Sequence, residues 1–243
     1  MTDLVGASFR GWRPFFESLD GCQFDTVGEV LRWRSSTPLP FFNGVFGGID
    51  AAQVDDVLAP FDGGSVLWVA PADSQLEAAL KSHGLHIGHV PGMTMRLSAL
   101  PETAELPGVE VRQVDRDHDA LTAATTISMT ANGFPEEAVP PFVAAVERLD
   151  DAEAMRTFLA TVDGVPAAAS VLSTRGGSAG LYNVGTVEEF RGRGLGRLVS
   201  LAALHAGRDA GLEIGALMAS NAGEPIYRAI GFQDDGRFFF AIR

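Results

Sequence analysis

The sequence predicts an α/β (α+β) protein built from two tandem units, and three observations carry that prediction. Strand-like and helix-like stretches alternate along the 243 residues, as in a layered α/β domain. Each half contains the run strand, strand, helix, strand, helix, strand, although no residue-level repeat links the two. Residues 100–108, Leu-Pro-Glu-Thr-Ala-Glu-Leu-Pro-Gly, interrupt all periodicity with two prolines and two acids, as a boundary does. The expected division is residues 1–100, a linker at 101–108 and residues 109–243, and a hydrophobic content of 46% is ample for a core in each unit.

In chain order, Leu4, Val5, Phe9, Trp12, Phe15, Phe16 and Leu19 recur at largely helical spacing, so the first twenty residues predict an amphipathic helix despite Pro14. Strand-like pieces follow at residues 30–35 and 41–47. Then come a helix at 51–59 capped by Asp50, a buried strand at 66–70, a helix at 74–82 and a strand at 86–97. Beyond the linker, residues 109–114 alternate as a strand, and helices are expected at 116–130 and 136–149. Residues 155–162 and 165–174 form a hairpin, because Asp163-Gly164 supplies the positive φ of a tight turn. Residues 179–187 add a third strand. A glycine-rich loop, a helix at 195–210, a strand at 213–219, a short helix and closing strands around 232–242 complete the chain.

The glycine-rich loop is Arg191-Gly192-Arg193-Gly194-Leu195-Gly196, between an uncharged strand and a helix. Its glycines let the backbone turn tightly and point successive N–H groups into one concavity, and the helix start adds partial positive charge. That is a seat for a pyrophosphate. No Lys-Ser or Lys-Thr pair follows, which excludes a Walker loop, and the spacing is not the G-x-G-x-x-G of a dinucleotide fingerprint. What remains is R-x-x-G-x-G, formed by Arg191, Gly194 and Gly196, and it resembles the acetyl-CoA loop of the GNAT (GCN5-related N-acetyltransferase) superfamily. Downstream, Asn221 after a strand, Tyr227 six residues on and Gly231-Phe232 resemble that family's second coenzyme A segment.

The resemblance is specific over residues 179–232 and architectural elsewhere. It implies two GNAT-like units, each a mixed, mostly antiparallel sheet flanked by helices, with the catalytic one at 109–243. In the first unit the loop's place is taken by Gly47-Gly48-Ile49-Asp50, where an acid at the helix start would repel phosphate. That unit is expected to serve as partner surface or substrate wall. By resemblance, Val184, Gly185, Thr186 and Val187 hold the pantetheine arm and thioester carbonyl, with a backbone N–H, assigned to Val187, as oxyanion donor. Gly192, Arg193, Leu195 and Arg197 join Arg191, Gly194 and Gly196 around the phosphates, and Asn221 meets the pantetheine arm. Tyr227 would donate a proton to the departing thiolate. Glu188 or Glu189 is the candidate base. Phe134, in Asn132-Gly133-Phe134-Pro135, and Asn183 are placed on the acceptor side.

The implied activity is transfer of an acetyl group from acetyl-CoA to a primary amine of a small molecule or peptide, by direct attack in a ternary complex. The alternative is an acyl-CoA-binding sensor without turnover. A net charge of −13 argues against a nucleic-acid surface and is compatible with attracting a cationic amine. The lone Cys22 excludes an internal disulfide and fits a reducing compartment. His83, His86 and His89 lie close in sequence, but intervening glycines and strand alternation deny them common geometry, so no metal is expected. Residues 1–5 lack a basic-then-apolar leader and no run reaches membrane-span length, so a cytoplasmic protein without membrane partner is expected, and a homodimer stays open.

Overall fold

The computed structural model describes residues 3–243; Met1 and Thr2, part of the stretch read for a leader, lie outside them. The first half runs α1 (Leu4–Arg10), α2 (Arg13–Ser18), β1 (Gln23–Val27), β2 (Val30–Arg34), β3 (Gly44–Phe46), α3 (Val54–Leu58), β4 (Leu67–Pro71), α4 (Ser74–Ser82) and β5 (His86–Arg96). The second runs β6 (Val109–Gln113), α5 (His118–Ala131), α6 (Val139–Glu147), β7 (Met155–Val162), β8 (Val165–Ser173), β9 (Ala179–Thr186), α7 (Leu195–Asp209), β10 (Ile214–Met218), α8 (Glu224–Ile230) and β11 (Gln233–Ile242).

The amphipathic start is two helices rather than one. Pro14 falls in the first turn of α2, where its missing N–H breaks no hydrogen bond. Asp3 and Asp50 cap the helical turns that follow them by accepting from Gly6 and Ala52 N–H, and Asp73 caps α4 through both Gln75 and Leu76 N–H. The hairpin turn has Asp163 at φ 50° and Gly164 at φ 82°, the paired left-handed conformations its strands require. The short, largely exposed β1 at one sheet edge has no counterpart in the sequence reading.

The eleven strands form one open, mostly antiparallel sheet in the order β1-β2-β3-β4-β11-β5-β10-β9-β8-β7-β6. The last strand of each half lies between two strands of the other: β11 separates β4 from β5, and β5 separates β11 from β10. The closing strands expected around residues 232–242 are thus a single strand. Its register with β5 slips by one residue between Asp234 and Arg237, opposite Pro91, where β5 has no N–H to offer. The stretch between the halves is tied down, with His205 Nε2 3.1 Å from the Pro101 carbonyl oxygen.

Helices cover both faces. On one side α1, α2, α5 and α6 enclose an aromatic core in which Phe9, Trp12, Phe15, Phe16, Trp33 and Phe41 from the first half meet Met129 and Phe142 from the second. On the other, α3 and α4 pack over Trp68 and Phe239, while α7 and α8 enclose Leu201, Leu204, Leu217, Tyr227 and Phe232 together with Met93 and Met95 of β5 and Leu97 just after it. Each half therefore completes the other's core as well as its sheet. No helix among the described residues is long and apolar enough to cross a membrane.

Candidate active site

Two parallel strands that part company create the cleft. β9 pairs with β10 only at Ala179/Gly215 and Gly180/Ala216, then runs on to Thr186 with no neighbour on that side. The cause is a bulge: against β8 the register slips between Ala169 and Val171, so that one extra residue of β9 falls between Tyr182 and Gly185. Asn183 sits there at φ 50°, a left-handed conformation that asparagine tolerates better than most residues. The bulge bends β9 away from β10. Gly185 then packs so tightly on α5 that a β-carbon would lie 2.8 Å from the Ile127 carbonyl oxygen. In the first half the corresponding strands stay joined, β3 to β4 through Val69, whose carbonyl accepts from Gly47 N–H at 2.9 Å.

At the mouth of the cleft, Gly192 (φ 77°) and Gly194 (φ 81°) turn the chain into α7. Gly194 offers no capping side chain and the first turn holds no acid, so the leading N–H groups of α7 face outward unsatisfied by any side chain. Arg191, Arg193 and Arg197 surround this opening, and none is ion-paired among the described residues. Arg191 Nε donates to the Thr186 carbonyl at 3.3 Å, and Arg193 lies 5.3 Å over the Phe190 ring. At the matching place in the first half Asp50 fills the role of anion. Space around Gly194 is open, so its requirement is conformational. Gly194→Val should lower the unfolding free energy by about 1–2 kcal/mol in urea titrations, with Gly194→Asn recovering much of it. Equal losses in both variants would remove the left-handed conformation as the cause.

Strand parity corrects one residue role. Val187 N–H, assigned as oxyanion donor, donates to the Ala167 carbonyl at 2.9 Å and is committed to β8. In an antiparallel ladder the neighbouring pair, Thr186 with Ala168, then turns its backbone groups away from each other. The Thr186 N–H points to the open side of β9, the side from which Arg191 reaches the Thr186 carbonyl. Thr186, not Val187, presents a free amide to the cleft.

Across the cleft, α8 brings Ile226 towards the start of α7: a β-carbon at Gly196 would lie 3.4 Å from Thr186 Oγ1 and 3.9 Å from Ile226 Cδ1. The next residue, Tyr227, is 8% exposed, with its ring against Gly223 and edge-on to Phe232. Its hydroxyl has no hydrogen-bond partner among the described residues, and burial pushes the phenol well above its usual range. Asn221 is exposed in the loop before α8, and Glu188 and Glu189 are exposed on the turn after β9. Val184 is half-buried and packs on two apolar clusters, one holding Leu201, Leu217 and Tyr227 and the other Leu195, Leu198 and Val199.

The opposite side of β9 carries Phe134 and Asn183. Phe134 is half-buried, 5.8 Å from the Phe41 ring of the first half, and the Asn183 Nδ2 is buried with no partner among the described residues. The sequence reading gave no role to Asn132, whose Nδ2 donates to both the Ser128 and Val184 carbonyls, at 2.8 and 3.3 Å. It thereby ties the Phe134 loop to the parted strand. The neighbouring histidines pair separately, His83 with Asp55 and His89 with Glu77.

The sequence model described as Acetyltransferase (GNAT) domain matches residues 98–224, just over half of the chain. None of the curated proteins matches by sequence. Among solved structures, a GCN5-related N-acetyltransferase from Kribbella flavida superposes with a TM-score of 0.74 at 18% identity, covering 100% of this chain and 96% of that one. One from Sphaerobacter thermophilus gives 0.61 at 15% identity, covering 90% and 81%. A tandem GNAT protein from the clavulanic acid biosynthesis pathway gives 0.60 at 14% identity, covering 98% and 87%. At these identities the likeness is one of fold.

Proposed function

Because the chain belongs to the GNAT acetyltransferase family, we propose that it transfers an acetyl group from acetyl-CoA to a primary amine of a small molecule or peptide, by direct attack within a ternary complex. The observation that carries this reading is the meeting of two unsatisfied backbone features at one cleft. The leading amides of α7 suit a pyrophosphate, and the unpaired edge of β9 suits the amide-bearing pantetheine arm. Gly192 and Gly194 leave room for the phosphates, Arg191, Arg193 and Arg197 supply charge, and Asn221, exposed before α8, would meet the arm.

In the transfer itself the amine nitrogen attacks the thioester carbonyl carbon, the C–N bond forms, and the C–S bond breaks. The Thr186 N–H donates to the carbonyl oxygen as it gains negative charge, in a position fixed before reaction by the β8 ladder. Tyr227, a phenol protonated at neutral pH and kept so over a wider range by its burial, supplies the proton taken by the departing sulfur. The proton lost by the amine leaves towards water, with Glu188 and Glu189 as exposed acceptors at the strand end.

Calorimetric titration with acetyl-CoA and with CoA, followed by thiol release over a panel of amines, tests the reading. Micromolar binding is expected, weakened roughly ten- to hundredfold by Arg191→Ala, the range for a lost hydrogen bond to a charged group. Thiol release with at least one amine is expected as well. Binding without turnover across all amines would favour an acyl-CoA sensor, and no binding would overturn both.

A further inference from the structure

We propose that the acceptor is a monoamine with an apolar, aromatic body, that Phe41 of the first half shapes the wall against which this body rests, and that Asn183 donates a hydrogen bond to an oxygen close to its amine. This rests on the acetyltransferase reading and names the substrate class for that site.

Phe41 carries the first observation. Its φ of 74° is a left-handed conformation that a bulky residue adopts only under constraint, and such strain concentrates where a ligand must be met. The strain is held in place: the Phe41 carbonyl accepts from Trp33 Nε1 at 2.8 Å, and the ring is edge-on to Trp12 at 5.2 Å. The conformation sets the ring against Phe134, on the loop that Asn132 fastens to the carbonyl of Val184 in the parted strand. A residue of the first half is thus two contacts away from the cleft of the second.

The second observation is the chemistry of this side of β9. Tyr182 buries its hydroxyl while its ring keeps some exposed surface, and the ring is edge-on to Trp12. No carboxylate, lysine or arginine is among the described residues that are buried and polar. Asp3, the acid whose charge acts on Tyr182, caps α1 through Gly6 N–H and lies 3.5 Å from Arg10. A polycation such as a polyamine or aminoglycoside would bring several charges to a wall that has nothing to pair with them, a costly burial. Acids do occur at the rim, where Glu136 and Glu137 follow Phe134 and are exposed. They suit the attraction of one ammonium group from solution rather than the holding of many.

The third observation is the buried Asn183 Nδ2, which lacks a partner among the described residues. A buried donor left unmade is unfavourable, and in the bulge where β9 leaves β10 it lies close to where an acceptor amine must approach. An oxygen one or two bonds from the amine would satisfy it.

The experiment compares thiol release from acetyl-CoA with phenylethylamine, phenylalanine amide, spermidine and kanamycin, using the wild type, Phe41→Leu, Phe41→Ala and Asn183→Gly. Glycine removes the amide while keeping the positive φ. Acetyl-CoA titration of every variant shows first that the donor site is intact. With binding intact, kcat/KM should be at least about tenfold higher for the aromatic monoamines than for spermidine or kanamycin. Phe41→Leu should raise KM for phenylethylamine by about tenfold at unchanged acetyl-CoA affinity, and Phe41→Ala by more. Phenylalanine amide should be preferred to phenylethylamine by about tenfold, a preference that Asn183→Gly erases. Preference for spermidine or kanamycin, no turnover of any aromatic amine despite acetyl-CoA binding, or variants with wild-type KM for every amine would each overturn the proposal. Failure of the wild type to bind acetyl-CoA would instead overturn the acetyltransferase reading on which it rests.

Discussion

Acetyl transfer by Tyr227→Phe should be slower by roughly ten- to a thousandfold, with acetyl-CoA affinity nearly unchanged, because general acids commonly contribute ~10²–10⁴. The substitution removes one oxygen and leaves the ring against Gly223 and Phe232, so the core formed with Leu217 and Ile230 persists. The hydroxyl has no partner among the described residues that would be stranded by its loss. Stability should therefore hold or rise slightly while kcat falls. Burial raises the phenol above its usual value, so Tyr227 stays protonated throughout the working range. The pH profile of the wild type should show no loss of activity from its ionisation below about pH 10. Wild-type turnover in Tyr227→Phe would restrict the residue to packing.

Residues 109–243 expressed alone should fail to form a cooperative fold, although they contain every residue placed at the cleft except Phe41. They would lack β5, and with it Met93, Met95 and Leu97, which are buried against Leu201, Leu204, Leu217 and Phe232. Burying side chains of this size stabilises by about 1.5–3 kcal/mol each, so the three together approach the whole net stability of a typical domain, ~5–15 kcal/mol. β10 would also lose one neighbouring strand and β11 both of its own, leaving edges open to aggregation. Co-expression with residues 1–100 should restore a soluble, tightly associated pair that co-purifies. A monomeric second fragment with a sharp thermal transition would refute the mutual completion of the two cores.

Much of the local structure was legible. The hairpin of β7 and β8 follows from Asp163-Gly164 and the helical turn after residue 50 from its cap Asp50, because each depends on signals a few residues apart. The glycine loop with Arg191 was equally plain, since its chemistry is that of the local backbone. What escaped reading depends on strand neighbours far along the chain. The short polar stretch Gln23–Val27 is a strand only because β2 pairs with it. The order that places β11 between β4 and β5 has no local signature. Which amide at the end of β9 is free escaped reading for the same reason. Whether Val187 or Thr186 has a free N–H is decided by pairing with β8 across the bulge at Asn183, and no property of either side chain reports it.

The interleaved strands also set an order of events for a chain made from its N-terminus. When the ribosome has released β4 and β5, the slot between them belongs to residues that are still some 140 positions from being made. The first half must wait, with two unpaired edges and part of its aromatic core uncovered, until β11 emerges. β11 follows every other strand of the sheet in the chain and is the one that closes both halves. A premature stop or a nick that removes it would leave neither unit complete, so a check on this one strand is a check on both units at once.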